Sequence, residues 1–384
     1  METVLNTPIK IYNRVIPNRI VFQPMEGCDG TRDGGIDELT RRRYIRFAKS
    51  GAGIIWFEAT AVSAEGRANP RQLYINDKTV ESFRTLVAEI KKISLEENGF
   101  EPLIIVQLTH SGRYSKPNGT PEPIVAYRNE HWEKGREDQP YVIATDDYCK
   151  SVAEKYGIAA KLSQQAGFDG IDIKCCHGYL FNEFLSASNR DGVYGGSLEN
   201  RTRLYFECID AVKNNVDDNI FITTRFNACD CFPYPYGYGV DENNNIDLTE
   251  AKIIMEKLAG KGMEIIDITL GNPYLIPHIN RPCTNSPEDG NVGLKRIYDV
   301  TKELSLKDHI DILKNEGRLI SDNDIAALPV IPFGVRPLGE VKEVILVRER
   351  SRTRLEVSFP LAFALAISRN IDSISDIAVS LCKT

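Results

Sequence analysis

Six short apolar runs, each followed by a helical stretch, set the strongest limit on how this chain can fold. The runs are Ile20 to Gln23, Gly53 to Ala59, Leu103 to Leu108, Gly170 to Lys174, Phe221 to Phe226 and Ile265 to Leu270. Most are apolar on both phases of their alternation, as expected of parallel strands buried on two faces. Helical patterns lie between them, at Val80 to Ile93, Tyr148 to Ala166, Arg201 to Val216 and Leu248 to Lys261. Asp247 supplies an acid at the start of the last of these, and Gly262 follows its end. Such alternation predicts an α/β fold. Six strand–helix units precede Pro273. A closed (β/α)8 TIM barrel needs two more strands, so its closure by the C-terminal part is left open.

In such a barrel the chemistry sits at the C-terminal ends of the strands. Pro24-Met25-Glu26-Gly27-Cys28 follows the first run, and Glu58-Ala59-Thr60 ends the second. Gln107 lies in the third, which leads to His110 and Arg113. Lys174-Cys175-Cys176-His177-Gly178-Tyr179 ends the fourth, Arg225 lies in the fifth, and Gly271-Asn272-Pro273 follows the sixth. Polar and cationic groups would converge on one mouth, where a large anionic ligand could sit.

The 384 residues carry 47 Lys and Arg against 54 Asp and Glu, a net charge of −7. That balance argues against a nucleic-acid binder, which needs a basic face. The run Arg348, Arg350, Arg352 and Arg354 reads as a solvated face. No stretch reaches the ~18 apolar residues of a membrane span. The N-terminal residues lack the shape of a signal peptide. A cytoplasmic protein is expected. The nine cysteines show neither zinc-site nor iron–sulfur spacing. Cys175 and Cys176 read as small core residues.

Four strings carry a resemblance: NRIVFQPM, FEATAVSAEGR, VQLTHSGR and HGYLFNEFLSASNRDGVYGGSLENRTRL. In that order and spacing the chain resembles the old yellow enzyme family, in the branch of enoate and dienoyl-CoA reductases, over about residues 8 to 300. The resemblance implies a TIM barrel that binds FMN. It also implies that NADH or NADPH drives reduction of an activated C=C bond in a small-molecule substrate.

The same resemblance assigns the site. Gln107 would pair with the pyrimidine edge of the FMN ring, since its amide both donates and accepts. Pro24, Met25 and the backbone around Glu26 would pack on the ring, and Ala59 would leave it room. Arg225 would reach the electron-rich edge or the ribityl chain and favour the reduced cofactor; the alternative is a structural ion pair. His177 would hold the substrate's carbonyl oxygen. Lys174 stands at the place of the family's first donor, commonly His. It would either hold an anionic oxygen as a point charge or pair with an acid such as Asp172. Tyr179 would give a proton to the substrate. The YGGSLENR string reads as architecture, with Ser197 as a helix cap. His110 and Arg113 suit a substrate contact and a loop role about equally. The aromatic run Phe232, Tyr234, Tyr236 and Tyr238 reads as a loop over the mouth.

The resemblance stops near residue 300. His309 to Leu313 is one further strand candidate, and Val330 to Arg336 is the nearest analogue of the family's last strand, which helps hold the FMN phosphate. Residues 1–340 are expected to form the barrel and 341–384 a C-terminal segment of unrecognised type. Two other functions stay open. One is a degenerate barrel that binds a ligand or partner without turnover. The other is an amine or alcohol dehydrogenase of the same family. Homo-oligomerisation is expected by analogy alone.

Overall fold

A two-stranded hairpin opens the chain, β1 (Ile9–Ile11) against β2 (Arg14–Ile16), turned by Tyr12 and Asn13 in the left-handed region. The computed structural model describes residues 4–135 and 138–274, with strand residues 346–347, 354–355 and 365–367. The elements that follow are β3 (Val21–Phe22), α1 (Glu38–Lys49), β4 (Ile54–Ala61), α2 (Val80–Asn98) and β5 (Leu103–Thr109). After them come β6 (Ile124–Val125), α3 (Glu130–Glu133), β7 (Val142–Ile143), α4 (Asp146–Gln165) and β8 (Gly170–Ile173). Then follow α5 (Leu180–Leu185), α6 (Leu198–Lys213), β9 (Phe221–Cys229), α7 (Thr249–Gly260) and β10 (Ile265–Leu270). Short strands β11 (Leu346–Val347), β12 (Arg354–Leu355) and β13 (Leu365–Ile367) complete the set.

The chain divides into two compact units, residues 1–270 with 364–384, and residues 271–363. In the first, β3, β4, β5, β8, β9 and β10 lie in that order, all parallel, and β13 pairs antiparallel on the far side of β10. All six expected strands are present, five of them shifted by one to three residues at an end. In the second unit, β11 and β12 pair antiparallel. The strand candidates at 309–313 and 330–336 lie outside the described residues. So does most of the segment 341–384, including Arg348, Arg350 and Arg352.

Helix caps follow the sequence. Thr145 accepts from Tyr148 N and Ser197 from Asn200 N, each before its helix. Asp247 accepts from Thr249 N at 2.9 Å, one residue earlier than the N-cap, Leu248. In the YGGSLENR string, Arg201 pairs with Glu250 at 2.5 Å and donates to Gly196 O at 2.9 Å, so that segment ties helices together.

The hairpin covers the N-terminal ends of the strands. Ile11 and Ile16 join Ile54, Trp56, Leu103, Ile105, Phe221 and Ile265 in one apolar cluster. Tyr12 stacks on Phe221 with centroids 4.5 Å apart, and its hydroxyl donates to Ile222 O at 2.9 Å. Burying aromatic and branched side chains of this size stabilises by about 1.5–3 kcal/mol each. That end is closed, so the opposite end positions the site.

Candidate active site

Strand register brings the interior polar residues together. Gln107 on β5 lies beside Asp172 on β8, and Arg225 on β9 beside Asp267 on β10. Asp172 is fully buried. Its carboxylate accepts from Gln107 Nε2 at 2.6 Å, Trp56 Nε1 at 2.9 Å and Arg225 N at 2.8 Å. Burial pushes its pKa up to about 7, against the lowering effect of those donors. Arg225 Nε lies 3.1 Å from Asp267 Oδ2, an ion pair inside the barrel. Burial raises Asp267 and the guanidinium opposes the rise.

The mouth lies above this layer. The chain leaves β8 through His177 and Gly178, both left-handed, and Asn182 Oδ1 accepts from Gly178 N at 2.6 Å. A left-handed non-glycine residue costs of order 1–2 kcal/mol, so this bend holds His177 against its own preference. His177 is half-buried and makes no hydrogen bond among the described residues. Burial and the charges of Arg225 and Lys174 hold its pKa well below the usual histidine value. It is therefore neutral at pH 7, with one N–H to donate.

Lys174 is 5% exposed, and its ammonium sits 3.7 Å from the centroid of the Tyr179 ring. The expected alternative, an ion pair with Asp172, is not formed, because Asp172 is taken up by Trp56, Gln107 and the Arg225 backbone. No carboxylate reaches ion-pair distance of Lys174 among the described residues. Burial lowers its pKa, Glu26 opposes that, and Arg225 adds to it. The Tyr179 hydroxyl donates to Glu26 Oε2 at 3.0 Å.

The first-strand loop is held from below. Glu58, 1% exposed at a bulge in β4, accepts from Gly27 N at 2.7 Å and pairs with Arg43, which also holds Asp29 at 2.6 Å. Burial pushes Glu58 up to about 7. Pro24 is buried, Met25 is 60% exposed, and Ala59 is buried beside Gln107 in the sheet register.

His110 and Arg113 are both paired within the protein. His110 Nδ1 accepts from Gly112 N at 3.1 Å, so Nε2 carries the proton toward Tyr148 Oη at 2.8 Å. Burial takes its pKa down to about 4. Arg113 pairs with Glu183 at 2.5 Å. Cys175 and Cys176 are fully buried free thiols. Among the described residues no cluster of His, Cys, Asp and Glu can hold a metal, and no helix is long and apolar enough to cross a membrane.

Residues 4–280 match the NADH:flavin oxidoreductase / NADH oxidase family. The chain belongs to that family. It is 34% identical to an NADPH dehydrogenase of Geobacillus sp. (strain WCH70), over 71% of this chain and 74% of that protein. The old yellow enzyme of Pichia sp. AKU4542 is similar in structure, with a TM-score of 0.59 and 27% identity over 70% of this chain and 71% of that one. Morphinone reductase in complex with tetrahydroNAD shares the fold, with a TM-score of 0.57 and 24% identity over 70% of this chain and 74% of that one. The six parallel strands and their helices form the half-barrel sheet of the TIM-barrel fold that the old yellow enzymes share, and its closure lies outside the described residues. The protein is an FMN-dependent oxidoreductase that draws on NAD(P)H.

The interior fits that cofactor. Gln107 Oε1 is buried without a partner, and Gln107 Nε2 spends one proton on Asp172 and keeps another. An acceptor and a donor side by side match the pyrimidine edge of a flavin. Arg225 Nε is committed to Asp267 at 3.1 Å. Sequence reasoning missed Trp56, Asp267 and Gln72 as parts of this region. The three acids Glu58, Asp172 and Asp267 did carry a signal: each is the one charge inside an apolar strand. Trp56 and Gln72 carried none.

Proposed function

We propose that the mouth reduces an alkene conjugated to a carbonyl or carboxylate, with His177, Lys174 and Tyr179 as the catalytic groups. Pro24, Met25, the Glu26 backbone, Ala59, Gln107 and Arg225 hold the cofactor. FMN, when bound, supplies hydride taken from NADH or NADPH. Gln107 orients the ring edge, and Asp172 fixes which way the amide of Gln107 faces. The neutral His177 N–H and the Lys174 ammonium grip the substrate oxygen and stabilise the enolate that develops there. Tyr179 delivers a proton to the α-carbon.

The observation that carries this reading is the buried Lys174 ammonium with no carboxylate at ion-pair distance among the described residues. An uncompensated buried cation is costly, and an oxygen that gains negative charge during reaction offsets the cost. This favours ene-reduction over amine oxidation, because a substrate cation would meet Lys174 with like charge. It also favours a catalyst over a barrel without turnover.

The test begins with the purified FMN-loaded protein, reduced anaerobically by NADH or NADPH and reoxidised by matched enones and enoates. His177→Ala should slow reoxidation by about 10²–10³-fold while the 450 nm band of the flavin stays. Lys174→Met should weaken enoates about tenfold more than enones. Unchanged kinetics in both variants would reject these roles. The described cysteines are free thiols, which supports a reducing, cytoplasmic setting. Self-association is proposed from the family alone.

A further inference from the structure

A phenol that gives its proton to a substrate must recover it before the next turnover. Tyr179 is 1% exposed, so bulk water does not serve it directly. Its hydroxyl donates to Glu26 at 3.0 Å, and Glu26 is partly exposed. One oxygen of that carboxylate faces the phenol. The other accepts from Gln72 Nε2. Gln72 is fully buried and fastened at both ends of its amide. Its Oε1 accepts from Ala68 N at 2.7 Å, and its Nε2 also donates to Ala59 O at 3.2 Å. The clamp leaves Glu26 Oε2 turned toward Tyr179. Lys174 lies on the face of the same ring at 3.7 Å, where a cation stabilises negative charge on the phenol oxygen. Cys28 on the same loop and Glu58 on the strand beneath also face Glu26.

We propose that Glu26 is the proton relay between solvent and Tyr179, with Gln72 as its anchor. The proposal rests on Tyr179 as the proton donor. As hydride adds to the β-carbon, a C–H bond forms at the α-carbon and the Tyr179 O–H bond breaks. The resulting phenolate takes a proton from the Glu26 carboxyl group. The Glu26 carboxylate takes its own from water. The sum is one hydride and one proton added across the double bond. Glu26 acts through Tyr179 and does not touch substrate.

Glu26→Gln keeps the size and a hydrogen-bond acceptor but cannot carry a proton. In the FMN-loaded enzyme it should slow turnover with an enone by about 10–100-fold. The enone Kd of the oxidised enzyme, the flavin absorbance and the rate of reduction by NADPH should stay as in the parent. The solvent deuterium isotope effect on the alkene step should rise. Glu26→Asp should recover most of the rate, and formate should rescue Glu26→Ala in a saturable way. If Glu26→Gln turns over at the parent rate while Tyr179→Phe is slow, the relay falls and the donor stands. If both variants match the parent, the donor assignment falls with it. If Glu26→Asp is as slow as Glu26→Gln and formate rescues nothing, Glu26 is structural and the relay is rejected.

Discussion

At the N-terminal ends of the strands, Asp169 pairs with Arg14 at 2.6 Å and Lys91 at 3.1 Å, and it accepts from Ile104 N at 2.9 Å. At the C-terminal ends, Gln107 Oε1, Thr109 Oγ1 and Asn227 Oδ1 are buried without hydrogen-bond partners. Tyr12 shows the same thoroughness at the closed end, accepting from Glu264 N at 2.6 Å while it caps the cluster around Phe221. A buried polar group without a partner costs about 1–3 kcal/mol, so native interiors rarely keep several. Their concentration at one end marks where a polar ligand completes the structure. The closed end spends its polar groups on stability, and the mouth holds them back for binding.

The largest test of this contrast is Phe221→Ala at the closed end. It should cost about 3–5 kcal/mol, read from urea unfolding. The folded fraction should keep its kcat. A large loss of kcat with normal stability would break the contrast. Next in size is the pH dependence that Asp172 imposes. Its folded pKa is raised from 3.8 to about 7. The stability it contributes is therefore complete below about pH 4 and is lost as pH rises through about 7. The melting-temperature margin of the parent over Asp172→Asn should narrow between about pH 5 and pH 8. A margin that widens over that range would show that Asp172 is ionised throughout. The smallest effect is Gln107→Leu at the mouth. It should weaken FMN binding by about 0.5–1.5 kcal/mol, a few-fold to tenfold in Kd by fluorescence titration. The protein without FMN should unfold earlier than the parent by about 1–3 kcal/mol, since Asp172 loses the Gln107 Nε2 donor and keeps Trp56 Nε1. An unchanged Kd would remove Gln107 from the cofactor site.

Strand positions, helix spans and the order of groups at the mouth were readable in the sequence, because they depend on local periodicity and on contiguous strings. The run ending Lys174-Cys175-Cys176-His177-Gly178-Tyr179 placed polar and cationic groups at a strand end, and the family resemblance proposed their roles. The partners of those residues were not readable. Lys174 was open to a pairing with Asp172, two residues away. The structure gives Asp172 to Gln107, 65 positions distant, and to Trp56, 116 positions distant. Glu26 meets Tyr179 across 153 positions.

What this sequence determined by itself was the parallel α/β architecture, the family and the residues offered at each strand end. Alternation, caps and motif strings act over a few residues, and a chain cannot hide them. What the tertiary structure alone decided was which charges are spent and which are kept. Strand register and the inward direction of side chains bring distant residues to one depth. A buried charge is then settled by whichever donor reaches it first in space, whatever its distance along the chain.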